Sequence, residues 1–347
     1  MIKWKAVIIW VYKMENDVRV SVVVPVRNEE KYIEECLDSL INQDFPDAEY
    51  EIIVVDGESE DQTRDIVEEH LEGFENIRLV ENPQRNVAEG KRIGFEEAEG
   101  DFVIDFGGHS FADEDFISKL VSRLEKSDDD VAGVGCVHEI PPDESSIPRA
   151  IGKALATPFG GLGTTFRQME NERVVDSVAF TAYKKDIVDE VGGPSNPKLE
   201  HKGNDAELGL RLKEAGYKLI QIPNTSVYHH KRDSLVDFWK WIVNYGVGRA
   251  NIVKMHGLNN PYYLLPSILV IGGLFVAFMS LFSSIFRLFF VFSVSAYFLA
   301  SFVSSATICD SVKEIPLLMV VYLIEHFGYG VGFLSGLITG GYIENKG

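Results

Sequence analysis

Cysteine is scarce in this chain: Cys36, Cys136 and Cys309 are the only three in 347 residues, and no two lie close together. That excludes a CxxC metal or redox motif and a disulfide framework, and fits a reducing compartment. Basic residues are also in the minority, 33 Lys and Arg against 53 Asp and Glu, for a formal charge of −20. Such a balance excludes the basic surface that non-specific nucleic-acid binding needs, so no nucleic acid is expected as a partner. A cleavable signal peptide is missing too. The opening apolar run, Ala6 to Tyr12, is too short to cross a bilayer, and no small-residue cleavage site follows it. Residues 1–17 therefore read as an extension dispensable for catalysis, with Met14 as an alternative start. Internal repeats and low-complexity segments are absent.

What is present is unevenly distributed. From Pro261 onward there are four acidic residues (Asp310, Glu314, Glu325, Glu344) and three basic ones (Arg287, Lys313, Lys346); nearly all other charge precedes them. Tyr263–Ser283, Leu288–Ile308 and Ile315–Ile338 are long and apolar enough to span the hydrocarbon core, the third interrupted by Glu325–His326. Lys231, Arg232, Lys240, Arg249 and Lys254 precede the first span, and no later loop has a comparable excess. The positive-inside rule then places the large preceding unit in the cytoplasm of a multi-pass protein of the cell membrane.

The first half alternates strand and helix patterns. Apolar runs at Arg19–Val26, Tyr50–Val55, Asn76–Val80, Asp101–Phe106 and Val131–Val137 are separated by helical periodicity over Glu29–Asn42, Asp61–Leu71, Val87–Ala98 and Asp113–Leu124. This predicts an α/β fold, a mostly parallel sheet with helices on both faces, whose ligands sit beyond the carboxyl ends of the strands. Residues 139–176 are less regular: PPDESSIP reads as a loop, and GGLGTTFRQ as a Gly/Thr-rich loop able to order over a ligand. Beyond them come a strand over Asp176–Tyr183, a helix over Asn204–Ala215, a strand over Tyr217–Ile222 and an amphipathic helix over Leu235–His256.

Several residues stand where these elements end. Pro25 is placed to stop the first ladder, and Asn28 to cap a helix beginning near Glu29. Asp56 ends a buried strand, and Gly57 permits an unusual turn. Asp61 reads as the cap of the next helix. Asn204 and Asp205 open a helix, where capping alone is the plainer reading.

Three segments in order, VVVPVRNEEKYIEECLDSLINQ, EIIVVDGESEDQT and GNDAELGLRLKEAGYKL, resemble family 2 inverting glycosyltransferases, nearest the succinoglycan-biosynthesis type with C-terminal membrane helices. The resemblance covers about Val20–His256. It implies a GT-A fold, a Rossmann-like sheet, with a nucleotide-sugar donor and a divalent cation, Mn²⁺ or Mg²⁺. On that basis the backbone at Pro25 and the carboxylates of Glu29 and Asp56 face the nucleoside. Lys91, where the family usually shows Arg followed by Asn, meets the base or phosphates, unless it is a solvated helical lysine. Asp205 matches the family's base, although Asn204 stands where Glu is usual. The family's metal motif is DxD or DGH; here IDFGGHSF puts Gly107 in place of the first Asp and His109 in the last position. Either His109 and Asp105 hold the metal in an adjusted geometry, or metal binding is weak and other cations substitute.

The expected organisation is thus an extension over residues 1–17, a glycosyltransferase domain over 18–256 and a membrane anchor over 257–347 with about three spans. The expected reaction is inverting transfer of a sugar, UDP-linked by family habit, to a membrane- or lipid-linked glycan acceptor. A polyprenyl-phosphate monosaccharide synthase and a catalytically weakened membrane scaffold are the alternatives. Arg249 and Trp241 can anchor the interface or meet a phosphate. Glu325–His326 can touch a lipid-linked acceptor or pair with another helix.

Overall fold

The computed structural model describes residues 18–161, 169–199, 202–258 and 260–339. The N-terminal extension and most of the Gly/Thr-rich loop lie outside them. Strand β1 (Val20–Val26) is flanked by β2 (Tyr50–Asp56) and β4 (Phe102–Asp105), and β3 (Ile77–Glu81) adds beyond β2, all parallel. β-Branched residues dominate β1 and β2 because both faces of this sheet are covered. Val22, Val24, Ile52 and Val54 pack on one face against Leu37 of helix α1 (Ile33–Ile41). Val23, Ile53 and Val55 pack on the other against Phe95. Each fully buried side chain of this kind contributes about 1.5–3 kcal/mol. Helix α2 (Thr63–Gly73) links β2 to β3, and α3 (Val87–Glu97) links β3 to β4.

The second half of the sheet is mixed. Among the described residues it adds β5 (Ser110–Ala112), β6 (Val131–Glu139), β7 (Arg173–Val175), β8 (Thr181–Lys184) and β9 (Lys218–His229), in the order β3-β2-β1-β4-β8-β6-β9-β5 with β7 also on β9. Here only β6 and β9 run parallel; β8 is antiparallel to both β4 and β6, and β5 and β7 are antiparallel to β9. The connecting helices are α4 (Phe116–Glu125), α5 (Ser146–Leu155), α6 (Pro158–Gly161), α7 (Lys185–Glu190) and α8 (Asn204–Glu214). The PPDESSIP loop thus ends inside α5.

Pro25 does not stop β1. The strand runs on to Val26, paired with Asp56 of β2. The other neighbour, β4, ends its pairing with β1 at Val23–Asp105, so Pro25 sits where that side of the ladder is already open. The divergence of β1 from β4 opens a crevice at the carboxyl ends of the strands. Helix α1 begins at Ile33, not near Glu29, and Asn28 does not cap it: Asn28 has φ 55° and its side-chain oxygen accepts from Glu60 N at 2.8 Å. Glu29 N donates to Thr63 Oγ1 at 2.7 Å. These bonds fix residues 28–29 as a loop over the crevice. The left-handed residue after β2 is Glu58, φ 53°, not Gly57. Asp61 is not the N-cap of α2, which is Gln62; it stands one residue before it and accepts from Thr63 N at 3.0 Å.

Helix α9 (Leu235–His256) leads to α10 (Leu265–Ser280), α11 (Ser284–Ile308) and α12 (Ile315–Ile338). With their short 3₁₀ turns the last three form segments of 20, 25 and 27 residues, long and apolar enough to cross a membrane. Helix α9 ends at His256 and lies along α12. A Cβ on Gly332 would come within 2.1 Å of Val243 O, and one on Gly246 within 2.4 Å of Tyr329 O. The seam of small residues lets the two backbones touch. The loop joining α11 to α12 returns to the sheet's side, where Lys153 of α5 pairs with Asp310 (2.6 Å) and Glu314 (3.0 Å).

Candidate active site

The crevice between β1 and β4 is a cleft of about 270 Å³. Pro25, Glu29, Lys91, Asp105, His109 and Asp205, six of the seven residues singled out from the sequence, line it. The seventh, Asp56, ends the neighbouring strand, but its carboxylate is turned to Ser59, accepting from the hydroxyl at 2.6 Å and the backbone N–H at 3.2 Å.

Lys91 is not a solvated helical lysine. It is buried in α3, and its Nζ bridges Asp105 at the end of β4 and Asp205 Oδ1, the latter at 2.5 Å. Burial acts against the charge on Lys91, but the two carboxylates outweigh it and hold the ammonium protonated. Burial likewise acts to raise Asp205. The Lys91 ammonium, with Lys202 and Arg249 further off, overcomes this and leaves Asp205 below the usual carboxylate range. Asp205 is thus ionised. It does not cap α8 either: Gly203, at φ 98°, occupies the N-cap, which makes no side-chain bond.

The residues beside Asp205 are structural. Asn204 is buried, accepting from Asn196 N at 3.1 Å and donating to Leu199 O at 2.7 Å. Glu207 is fully buried, tied to Arg211 (2.9 Å), Asn196 (3.1 Å) and His256 of α9 (3.1 Å). Asn204 in place of Glu therefore clamps a turn and leaves the Asp205 carboxylate to the cleft.

Glu29 meets His109 Nδ1 at 3.0 Å. Burial would raise Glu29, but His109, Arg232 and Lys202 pull it down, so it is a carboxylate. Burial pushes His109 below its ordinary value despite Glu29. A neutral imidazole facing an acceptor-only carboxylate carries its proton on Nδ1, which leaves the Nε2 lone pair unprotonated. This is how a carboxylate orients a metal-ligating histidine, so His109 fits a divalent cation. Asp105 does not: it lies further back in the strand, and Lys91 occupies its carboxylate. No three His, Cys, Asp or Glu side chains converge on one point among the described residues.

Among the lining residues that the sequence did not single out for the site are Lys202, His229 and Arg232. Arg232 was counted with the membrane-proximal charges; the HHKR string at the end of β9 was the available signal. The ring of His229 packs 4.7 Å from that of His109. Burial first, then Arg232 and Lys91, lowers Lys202 to about 7. A diphosphate entering the cleft would restore its proton. UDP binding at pH 8 is therefore expected to take up a proton, and affinity to tighten as pH falls from 9 towards 7 and level off below. Calorimetry in buffers of different ionisation enthalpy reads both; proton-neutral binding at pH 8 contradicts the assignment.

The family model for glycosyl transferase family 2 matches residues 21–192, the span that builds β1 to β8 and most of the cleft. The chain belongs to glycosyl transferase family 2. It is a glycosyltransferase, and relatives agree across most of its length. It is 29% identical over 330 residues, 92% of this chain and 98% of the other, to a dolichyl N-acetyl-α-D-glucosaminyl phosphate 3-β-D-2,3-diacetamido-2,3-dideoxy-β-D-glucuronosyltransferase of Methanococcus voltae. It is 26% identical over 251 residues, 71% of this chain and 73% of the other, to the succinoglycan biosynthesis protein ExoA of Rhizobium meliloti. The mannosyltransferase PcManGT of Pyrobaculum calidifontis, solved with GDP-mannose and Mn²⁺, shares this glycosyltransferase's GT-A fold: TM-score 0.60, 20% identity, covering 88% of this chain and 86% of that one.

Proposed function

We propose that this family 2 enzyme transfers a sugar from a nucleotide diphosphate sugar, UDP-linked, to a lipid-linked glycan acceptor at the cytoplasmic face of the membrane, with inversion. The observation that carries this reading is the Asp205 carboxylate held at the cleft by the Lys91 ammonium, 2.5 Å away. Asp205 takes the proton of the acceptor hydroxyl as that oxygen bonds to the anomeric carbon from the face opposite the diphosphate. The bond from that carbon to the diphosphate oxygen breaks, and UDP leaves. Lys202 and Arg232 offset its charge. The strand-end backbone at Pro25 and the loop at Glu29 border the nucleoside. A divalent cation bound with the donor would add to charge neutralisation on the leaving diphosphate, with His109 as its protein ligand. The relative acting on a dolichyl-linked sugar and the three apolar helices support a lipid-linked acceptor. The basic residues before the first span, and the return of the α11–α12 loop to the catalytic side, support a multi-pass anchor with that side in the cytoplasm. The same set of groups speaks against a mere scaffold.

Donor hydrolysis across UDP-, GDP- and dTDP-sugars tests the reading: UDP release from one UDP-sugar supports it, and no turnover with any donor ends it. Mn²⁺ is expected to tighten UDP binding by at least about tenfold, and His109→Ala to abolish that gain. Calorimetry with EDTA as the baseline measures it; equal binding with and without metal removes His109 from the donor site.

A further inference from the structure

A second cavity, of about 210 Å³, lies where α9 meets α10 and α12. Its wall holds Arg249, only 8% exposed. The guanidinium donates to Tyr245 Oη at 2.5 Å and stacks on the rings of Tyr245 (4.9 Å) and Tyr263 (5.2 Å). Among the described residues no carboxylate pairs with it. Burial opposes its charge, yet the guanidinium stays a cation. A buried arginine in contact with no anion is costly, and the cation–π contacts and the more distant Asp205 carboxylate offset only part of that cost. The cavity also holds Glu325 of α12, whose Oε2 is buried with no hydrogen-bond partner among the described residues. His326 beside it is satisfied, by Tyr297 Oη at 2.9 Å and Phe159 O at 2.9 Å. Of the pair flagged in the third span, one residue therefore ties helices together and the other is left for a guest.

The cavity adjoins the donor cleft. Lys231 and Trp241 border it and also border the small recess that His109, His229 and Arg232 share. Lys202 lies 5.7 Å over the Trp241 ring. Gly248 packs on Lys202, and Ile252 on Gly203, so α9 holds Arg249 beside the turn that carries Asp205.

We infer that this cavity is the acceptor site: Arg249, with Lys231 at its rim, takes the phosphate of a polyprenyl-linked acceptor, and Glu325 hydrogen-bonds a polar group of its sugar. The assignment rests on the transferase reading and adds the group the enzyme recognises. A single anionic group at the head of a hydrocarbon chain fits one buried guanidinium inside an aromatic wall, with apolar α10 alongside for the chain.

The test uses the full chain in nanodiscs of neutral lipid, with farnesyl phosphate as probe and inorganic phosphate and phosphatidate as competitors. Farnesyl phosphate is expected to bind saturably. Arg249→Gln should weaken it by at least about tenfold and Arg249→Lys by less, because a buried charge pair loses one partner. Glu325→Ala should weaken farnesyl phosphate carrying one sugar, leaving bare farnesyl phosphate unchanged. UDP binding, measured on the same samples, reports the fold and separates the two readings: its absence from wild type sinks the UDP-donor reading, not this one. Lys231→Ala gives a second variant should Arg249→Gln not fold. Wild-type affinity in Arg249→Gln, or in Lys231→Ala where Arg249→Gln does not fold, overturns the proposal. So does competition by phosphatidate or inorganic phosphate as strong as by farnesyl phosphate, which would make Arg249 a general anion anchor.

Discussion

Asp205→Asn is expected to lower kcat by about 10³-fold and to leave UDP affinity within about threefold of wild type, since general-base catalysis contributes about 10²–10⁴. The amide keeps the shape of the carboxylate but cannot take the acceptor's proton. Lys91 retains Asp105 as a partner in this variant, so the cleft should hold its form. Initial rates and UDP calorimetry on the same preparation separate the two effects. Near-normal turnover would remove Asp205 from the chemistry. A parallel loss of UDP binding would assign it to donor recognition instead.

Lys91→Met is the second large effect, and its signature is the pH profile. In the native cleft Asp205 sits below the usual carboxylate range because Lys91 outweighs its burial. Asp105, the other carboxylate on Lys91, is raised, with burial as the leading cause. Without the ammonium, burial and the neighbouring carboxylate both act upward on Asp205. The base then stays protonated to higher pH, so the acid limb of kcat/KM is expected to move up by about 1–3 pH units. Activity at neutral pH falls and partly returns on the alkaline side. An unchanged acid limb would mean that Lys91 does not set the charge state of Asp205, whatever its role in packing.

The parts of the fold that sequence revealed are those with long, uniform patterns. The valine and isoleucine runs of β1 and β2, the 22-residue α9 and the apolar segments after Pro261 each carry enough repeats to be unambiguous. The mixed half of the sheet was opaque because β5 and β7 have three residues each, too few for a period. β8 begins only at Thr181 because Phe180, at φ 51°, cannot continue a strand. The site was legible as a set of positions, since strand ends of a parallel sheet gather at one rim. Side-chain pairing was not. Nothing in the spacing shows that Lys91 spans two carboxylates 14 and 114 residues away, or that Glu29 turns to His109 across 80 residues. Asn28 illustrates the limit most plainly: its composition says helix cap, but a partner loop at Glu60 claimed it first.

On the proposed reading Asp205 serves a single displacement in the β1–β4 cleft, and that fixes the stereochemistry of the product. The anomeric configuration of the transferred sugar, read by NMR on product from the UDP-sugar that turns over, is the most direct measurement. The expected configuration is opposite to that of the donor; a product retaining the donor's configuration rules out a single displacement with Asp205 as base.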